Sequence, residues 1–275
     1  MMRDVLKRYR MIFPSEHGSW SLTLTPFLIG AGVGAVAGAA TFAVGATALA
    51  LAAVMALFLA RQPISLWVRI VRGRGRRADL GAAQFWSLLL GGLAVLAGGG
   101  LLALGRWPVL WLGLPAVGVL ALTLVLGTAL GPRTLLVELI GVIGLALAAP
   151  AAYVSMAGRL DATAWLAWGI SALHSAISVL YVRLRIDERH GRASRGETWA
   201  VVAAHALSLL AVIAAVWMRW LPPLVALPVG LLLVRALYVA RRRPQIENVK
   251  RFGFIEMGVA LSFALLVVLA FLLGE

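Results

Sequence analysis

Ionisable side chains inside long apolar runs are the first chemistry this sequence offers. Glu138 and Glu256 each fall about one turn into such a run. Arg235 lies about a turn and a half from the end of another. His174 and His205 lie roughly two turns deep in two runs joined by a short loop, and Glu16 and His17 stand just before the first run. Ionisable groups are costly in hydrocarbon, so each is a candidate for handling substrate or protons. Carboxylate and imidazole are the groups suited to proton transfer. Glu16, His17, Glu138, His174 and Glu256 are therefore the catalytic candidates.

Arginine supplies the second chemistry. Arg61, Arg133, Arg183, Arg185 and Arg251 stand near the ends of apolar runs, and Arg69 stands in the basic segment after the second run. A guanidinium donates from a planar fork that fits phosphate or carboxylate oxygens, so these six are candidates for holding an anionic substrate. Asp187 and Arg235 are placed to orient them. Arg183 and Arg185 are two residues apart and cannot both face one helix stripe; they could instead flank an anionic group. The same residues also read as structure. Glu138 and Glu256 can pair with Arg133, Arg235 or Arg251 to hold helices together, and the histidines can be hydrogen-bonded helix contacts.

Metal and thiol chemistry find little support. The chain has no cysteine, which removes disulfides, thiolate nucleophiles and thiolate ligands. His17, His174, His190 and Glu138 lack the spacing of a ligand set. No serine sits in a nucleophile elbow. No cofactor is expected.

The elements that must position these residues follow from composition. Of 275 residues, 62% are hydrophobic and 13% charged, against about 45–50% and about 25% in soluble domains. That excludes a secreted disulfide scaffold, a disordered chain and an ordinary soluble enzyme. About nine runs are long enough to cross a bilayer: 19–38, 41–60, 84–104, 109–130, 134–157, 163–182, 198–217, 221–240 and 253–273. Spanning segments without the alternation of barrel strands must be helical, because hydrocarbon leaves no other partner for the backbone. The expected fold is all-α, a single integral membrane domain over 1–275. Pro115, Pro150 and Pro228 fall inside runs and predict kinks. Gly30, Gly34 and Gly38, Gly98 to Gly100, and Gly141 with Gly144 predict close helix packing.

Charge sets the orientation. The formal net charge is +14, which in a soluble protein would suggest nucleic acid. Here 21 basic residues fall on alternate loops of one side, 3 fall on the other, and Arg235 lies inside a run. The positive-inside rule then predicts a cytoplasmic N-terminus and an outside C-terminus in a bacterial cytoplasmic membrane, with no nucleic-acid partner. The basic start leads into Pro14 and not into a signal-peptide core, so no cleaved leader is expected. Trp107, Trp111, Trp217 and Trp220 at the outer ends, and Trp20, Trp67, Trp86 and Trp199 at the inner ends, fit interface anchors.

Pro14-Ser15-Glu16-His17-Gly18-Ser19-Trp20 resembles the Glu-His-Gly-x-Trp signature of the YwiC-like family of bacterial membrane proteins. Arg61-Gln62-Pro63, Arg133 with Glu138, Tyr181-Val182-Arg183 and Gly253 with Glu256 resemble that family's other polar positions. The family implies no established activity. A weaker similarity is to the UbiA-type intramembrane prenyltransferases. It implies nine helices around a cavity open to the cytoplasm, with substrate loops after the second and sixth helices. In that superfamily, Asp-rich motifs on both loops hold Mg²⁺ on a prenyl diphosphate. This chain has only Asp79 in the first loop and Asp187-Glu188 in the second. Two Mg²⁺ ions need more carboxylates than that, so Mg²⁺ is not expected and arginine would neutralise a diphosphate directly.

Three functions are open from the sequence. The first is a cytoplasm-facing Arg/Glu/His site that binds or transfers an anionic isoprenoid or lipid-linked substrate, with membrane lipids as partners. The second is a small-anion or proton-coupled transporter. The third is a non-catalytic membrane assembly subunit.

Overall fold

In a computed structural model of the chain, residues 11–13, 18–131 and 134–274 are described. Glu16, His17 and Arg133 lie outside them. The described residues form α-helices joined by short turns and 3-10 segments, with no strand among them. The helices are α1 (Gly18–Val36), α2 (Ala43–Val71), α3 (Leu80–Ala103), α4 (Leu110–Ala129), α5 (Leu135–Leu145), α6 (Ala148–Ala157), α7 (Ala162–Arg189), α8 (Arg195–Trp217), α9 (Ala226–Arg242) and α10 (Val249–Leu273). With α5 and α6 taken as one broken span, nine helical segments among the described residues are long and apolar enough to cross a membrane.

Several helices outrun the apolar segments that predict them. α2 continues to Val71 and α7 to Arg189. Arg61, Arg69, Arg183, Arg185 and Asp187 therefore stand on helices, where hydropathy suggests loops. Hydropathy marks where lipid ends. The hydrogen-bonded ladder does not stop there, because Arg, Gln and Leu are good helix formers in water as well. Polar caps close the ends that meet water. Asp161 accepts from the Ala164 amide, Ser194 and Glu197 form a capping box, and Asn248 accepts from the Lys250 and Arg251 amides.

The fifth span is broken between α5 and α6. Pro150 has no N–H to offer, and the amides of Leu147 and Ala149 bond to Gly144 and Ala146, three residues back. This tightening frees the Ile143 carbonyl, the ordinary partner of the Leu147 amide. The Trp168 indole N–H of α7 donates to that carbonyl at 3.3 Å. A proline kink is thereby satisfied by a side chain of a neighbouring helix.

α1 runs through the centre, against α6, α7 and α10. Ile29, Val33, Tyr153, Ala164, Ala167, Phe263 and Val267 form the core there. α2 pairs with α3 and α8 with α9, while α4 lies at the edge, with only Leu112 buried. The approach of α1 to α6 requires glycine: a Cβ on Gly30 would overlap the Ala149 carbonyl. Not every glycine serves this purpose. A Cβ on Gly98 or Gly99 would meet nothing within 4 Å, so that face of α3 is open rather than tightly packed.

Candidate functional site

Two polar constellations form on opposite faces of α7. The residues at 181 and 183 are about 200° apart around a helix, and so are directed to different neighbours. Arg183 reaches α5 and donates from Nη1 to Glu138 Oε2 at 2.8 Å. Arg61, on α2, approaches the same stretch of α5. Its Nη1 lies 3.9 Å from where a Cβ on Gly141 would stand. Glu138 and Gly141 are one turn apart, so two guanidinium groups from two helices converge on one turn of a third. The ion-paired side chains are 39% and 32% exposed, so neither is sealed within the bundle. A group so placed remains reachable by a ligand.

The second constellation faces α8, α9 and α10. Arg235 of α9 donates to Glu256 of α10, and its guanidinium carbon stands 4.0 Å over the Tyr181 ring. The Tyr181 ring meets His205 edge-on at 6.3 Å between centroids. His205 Nδ1 donates to the Val201 carbonyl at 2.8 Å. His174, about two turns deeper on α7, stacks on Phe263 at 4.1 Å. Its Nε2 lies 3.5 Å from the Ser178 hydroxyl, and its buried Nδ1 has no partner among the described residues. Both histidines are buried. The compensated Arg235–Glu256 pair, capped by an aromatic face, explains how a charge is held among membrane-spanning helices.

The remaining candidates are dispersed. Arg185 is buried and donates to Glu188 and to the Pro244 carbonyl, pinning the turn between α9 and α10. Asp187 accepts from Arg192 at 2.8 Å. The consecutive acids Asp187 and Glu188 are thus engaged by different arginines. Arg69 is exposed on the last turn of α2, and Arg251 is exposed on the first turn of α10. No group of three His, Asp or Glu side chains suited to a metal occurs among the described residues. Two hollows stand out. One, about 430 Å³, lies between α9 and α10 with Arg235 in its wall. The other, about 360 Å³, lies at the far end of the bundle beside Arg219 and Trp220. Of the candidate residues among those described, only Arg235 borders either.

The end of the bundle opposite the arginine-rich loops has polar structure of its own that the sequence does not announce. Arg106 is buried and donates to three carbonyls: Ser155 at 3.0 Å, Leu104 at 3.1 Å and Thr41 at 2.6 Å. Asp161 accepts from Arg159 at 2.7 Å and from the Tyr153 hydroxyl at 3.0 Å. Burial pushes the Asp161 carboxyl up, but the bonds from Arg159, Tyr153 and the Ala164 amide outweigh it and hold the group below its ordinary value. Tyr181 was also legible only in part. Its spacing of seven from His174 puts the two on one stripe, but nothing in the sequence pairs it with Arg235.

The fold and the placement of these groups define a multi-pass, all-helical membrane protein in which two ion pairs, Arg183–Glu138 and Arg235–Glu256, join different spans. Residues 13–153, just over half of the chain, match the YwiC-like protein family. The chain belongs to that family. The match covers α1 to most of α6, and so includes Arg61 and Glu138 but not Arg183, Arg235 or Glu256. No curated protein matches the chain.

Proposed function

We propose that the arginine-rich end faces the cytoplasm of a bacterial cell and holds the anionic headgroup of an isoprenoid or other lipid-linked substrate. One observation carries this reading: Arg61 and Arg183, from α2 and α7, converge on the Glu138–Gly141 turn of α5. Two forks aimed at one place suit an anion with several oxygens, such as a diphosphate. Glu138 holds Arg183 in position, and an arriving headgroup competes with it for the guanidinium. Arg69 and Arg251, exposed at the same end, attract anionic ligands without fixing them. The residues around the turn are those of surrounding spans, so the ligand's apolar part remains in the bilayer while its charge is held at the rim. Neutralisation by arginine alone makes no demand for Mg²⁺.

Purified protein titrated with farnesyl diphosphate, followed by thermal stabilisation, tests this. The diphosphate stabilises the wild type and farnesol does not. Arg61→Gln and Arg183→Gln each weaken binding at least about tenfold, equivalent to about 1.4 kcal/mol. Arg72→Gln, whose guanidinium is engaged with the Thr128 hydroxyl at 2.6 Å, leaves binding unchanged. Equal binding by all variants, or equal stabilisation by farnesol, refutes the reading.

One observation favours a second function. Spans broken near mid-membrane are a device of transporters, and the fifth span breaks at Ala146–Leu147. In this chain the freed carbonyl is taken by Trp168, so the break is closed by packing, and the binding reading is preferred.

A further inference from the structure

The hollow between α9 and α10 borders neither Arg61 nor Arg183, the pair just assigned to a headgroup. Its walls are two helical stripes: Leu231 and Arg235 on α9, and Ile255, Gly258, Ser262 and Phe263 on α10. Leu231 and Ile255 are about half exposed, so the groove opens sideways, toward the surroundings of the helices. Along α10 it runs from Ile255 to Leu266, about 16 Å at 1.5 Å per residue. That is roughly half the hydrocarbon thickness of a bilayer. Glycine keeps it open, since nothing lies within 4 Å of a Cβ placed on Gly258.

Its polar groups select the occupant. Arg235 is already compensated by Glu256 and covered on one face by Tyr181. An anion bound there would bring a net negative charge into low dielectric beside Glu256, a costly arrangement. A guanidinium has five N–H donors, and pairing with Glu256 does not exhaust them. The Ser262 hydroxyl is exposed in the groove and makes no hydrogen bond among the described residues. The groove therefore offers hydrogen-bond donors without offering net charge.

We propose that this groove binds an uncharged lipid, whose headgroup oxygens accept hydrogen bonds from Arg235 and Ser262 and whose chain lies along the apolar stripe toward Leu266. The site is independent of the headgroup site at Arg61 and Arg183.

Photolabelling in vesicles tests it, with diacylglycerol and phosphatidic acid carrying the same diazirine acyl chain. Diacylglycerol labels α9 and α10 residues of the groove, and phosphatidic acid labels them about tenfold less. Gly258→Leu fills open space without displacing backbone and cuts the diacylglycerol label about tenfold. Ser262→Ala, which removes only an exposed hydroxyl, cuts it several-fold. Equal labelling of either variant and wild type overturns the proposal. So does preference for the anionic probe, or label as dense on the exposed flank of α4 as in the groove. Farnesyl diphosphate binding by the two variants is unchanged, which separates this result from a failure at Arg61 and Arg183.

Discussion

Arg106 is 6% exposed and makes no ion pair among the described residues, yet its position is fully explained by carbonyl oxygens. It joins three segments: the turn before α2 through Thr41, the end of α3 through Leu104 and the last turn of α6 through Ser155. A helix ends with carbonyls that lack amide partners, and Ser155 is one of these. Its hydroxyl is used as well, lying 3.1 Å from the Thr47 hydroxyl. Gly158 stands beside the arrangement. It caps α6 with φ +76°, and a Cβ there would stand 3.7 Å from the Arg106 guanidinium. Hydrogen bonds from a charged donor contribute about 1.5–3 kcal/mol each, and buried carbonyls left bare carry a further cost. Arg106→Ala is expected to destabilise the protein by several kcal/mol, about 3 or more. Thermal unfolding in detergent measures it as a lower midpoint. Arg106→Lys, a point donor without the fork, recovers less than half of the loss. An unshifted midpoint in Arg106→Ala would show that the three carbonyls are satisfied without it.

At the level of the elements, the contrast between two glycine groups isolates what packing requires. Gly30 faces the Ala149 carbonyl so closely that even a methyl overlaps backbone, and a Cβ on Gly34 would stand 3.1 Å from the Tyr153 carbonyl oxygen. Gly98 faces open space. Gly30→Ala is therefore expected to cost about 1–3 kcal/mol, in the range of overpacked cores. Gly98→Ala is expected to be neutral or to gain up to about 1 kcal/mol from helix propensity. Equal unfolding midpoints for the two variants would mean that α1 and α6 adjust their approach at no cost. The sequence shows why both groups look alike beforehand. Glycine content reports that helices can approach, whereas the partner backbone decides whether they do. The spans themselves were legible, because each must satisfy its own backbone in hydrocarbon. Their ends were not, since the ladder of α2 runs past Arg61 and Pro63 to Val71. Pro150 signals a kink, but the break falls at Ala146–Leu147, where Trp168 of another helix can reach the freed carbonyl.

For the whole molecule, the ionisable residues were legible as a set, whereas their partners were not. The helical period already separates Arg183 from Arg185. It cannot reveal that Arg183 meets Glu138, 45 residues away, or that Glu256 meets Arg235 and not Arg251. Those choices depend on which helices become neighbours. One whole-molecule property is visible in the sequence alone, namely the concentration of arginine at alternate loops. It predicts one orientation for all nine spans together, because reversing a single span would place an arginine-rich loop on the wrong side. The chain has no cysteine, so single cysteines report side without background. Glu247→Cys lies in the exposed turn between α9 and α10, and Trp220→Cys lies in the exposed turn between α8 and α9. A membrane-impermeant maleimide is expected to label Trp220→Cys in intact cells and to label Glu247→Cys only after lysis. Labelling of Glu247→Cys in intact cells would invert the molecule. The convergent guanidinium groups of Arg61 and Arg183 would then face the outside, where a cytoplasmic isoprenoid diphosphate could not reach them.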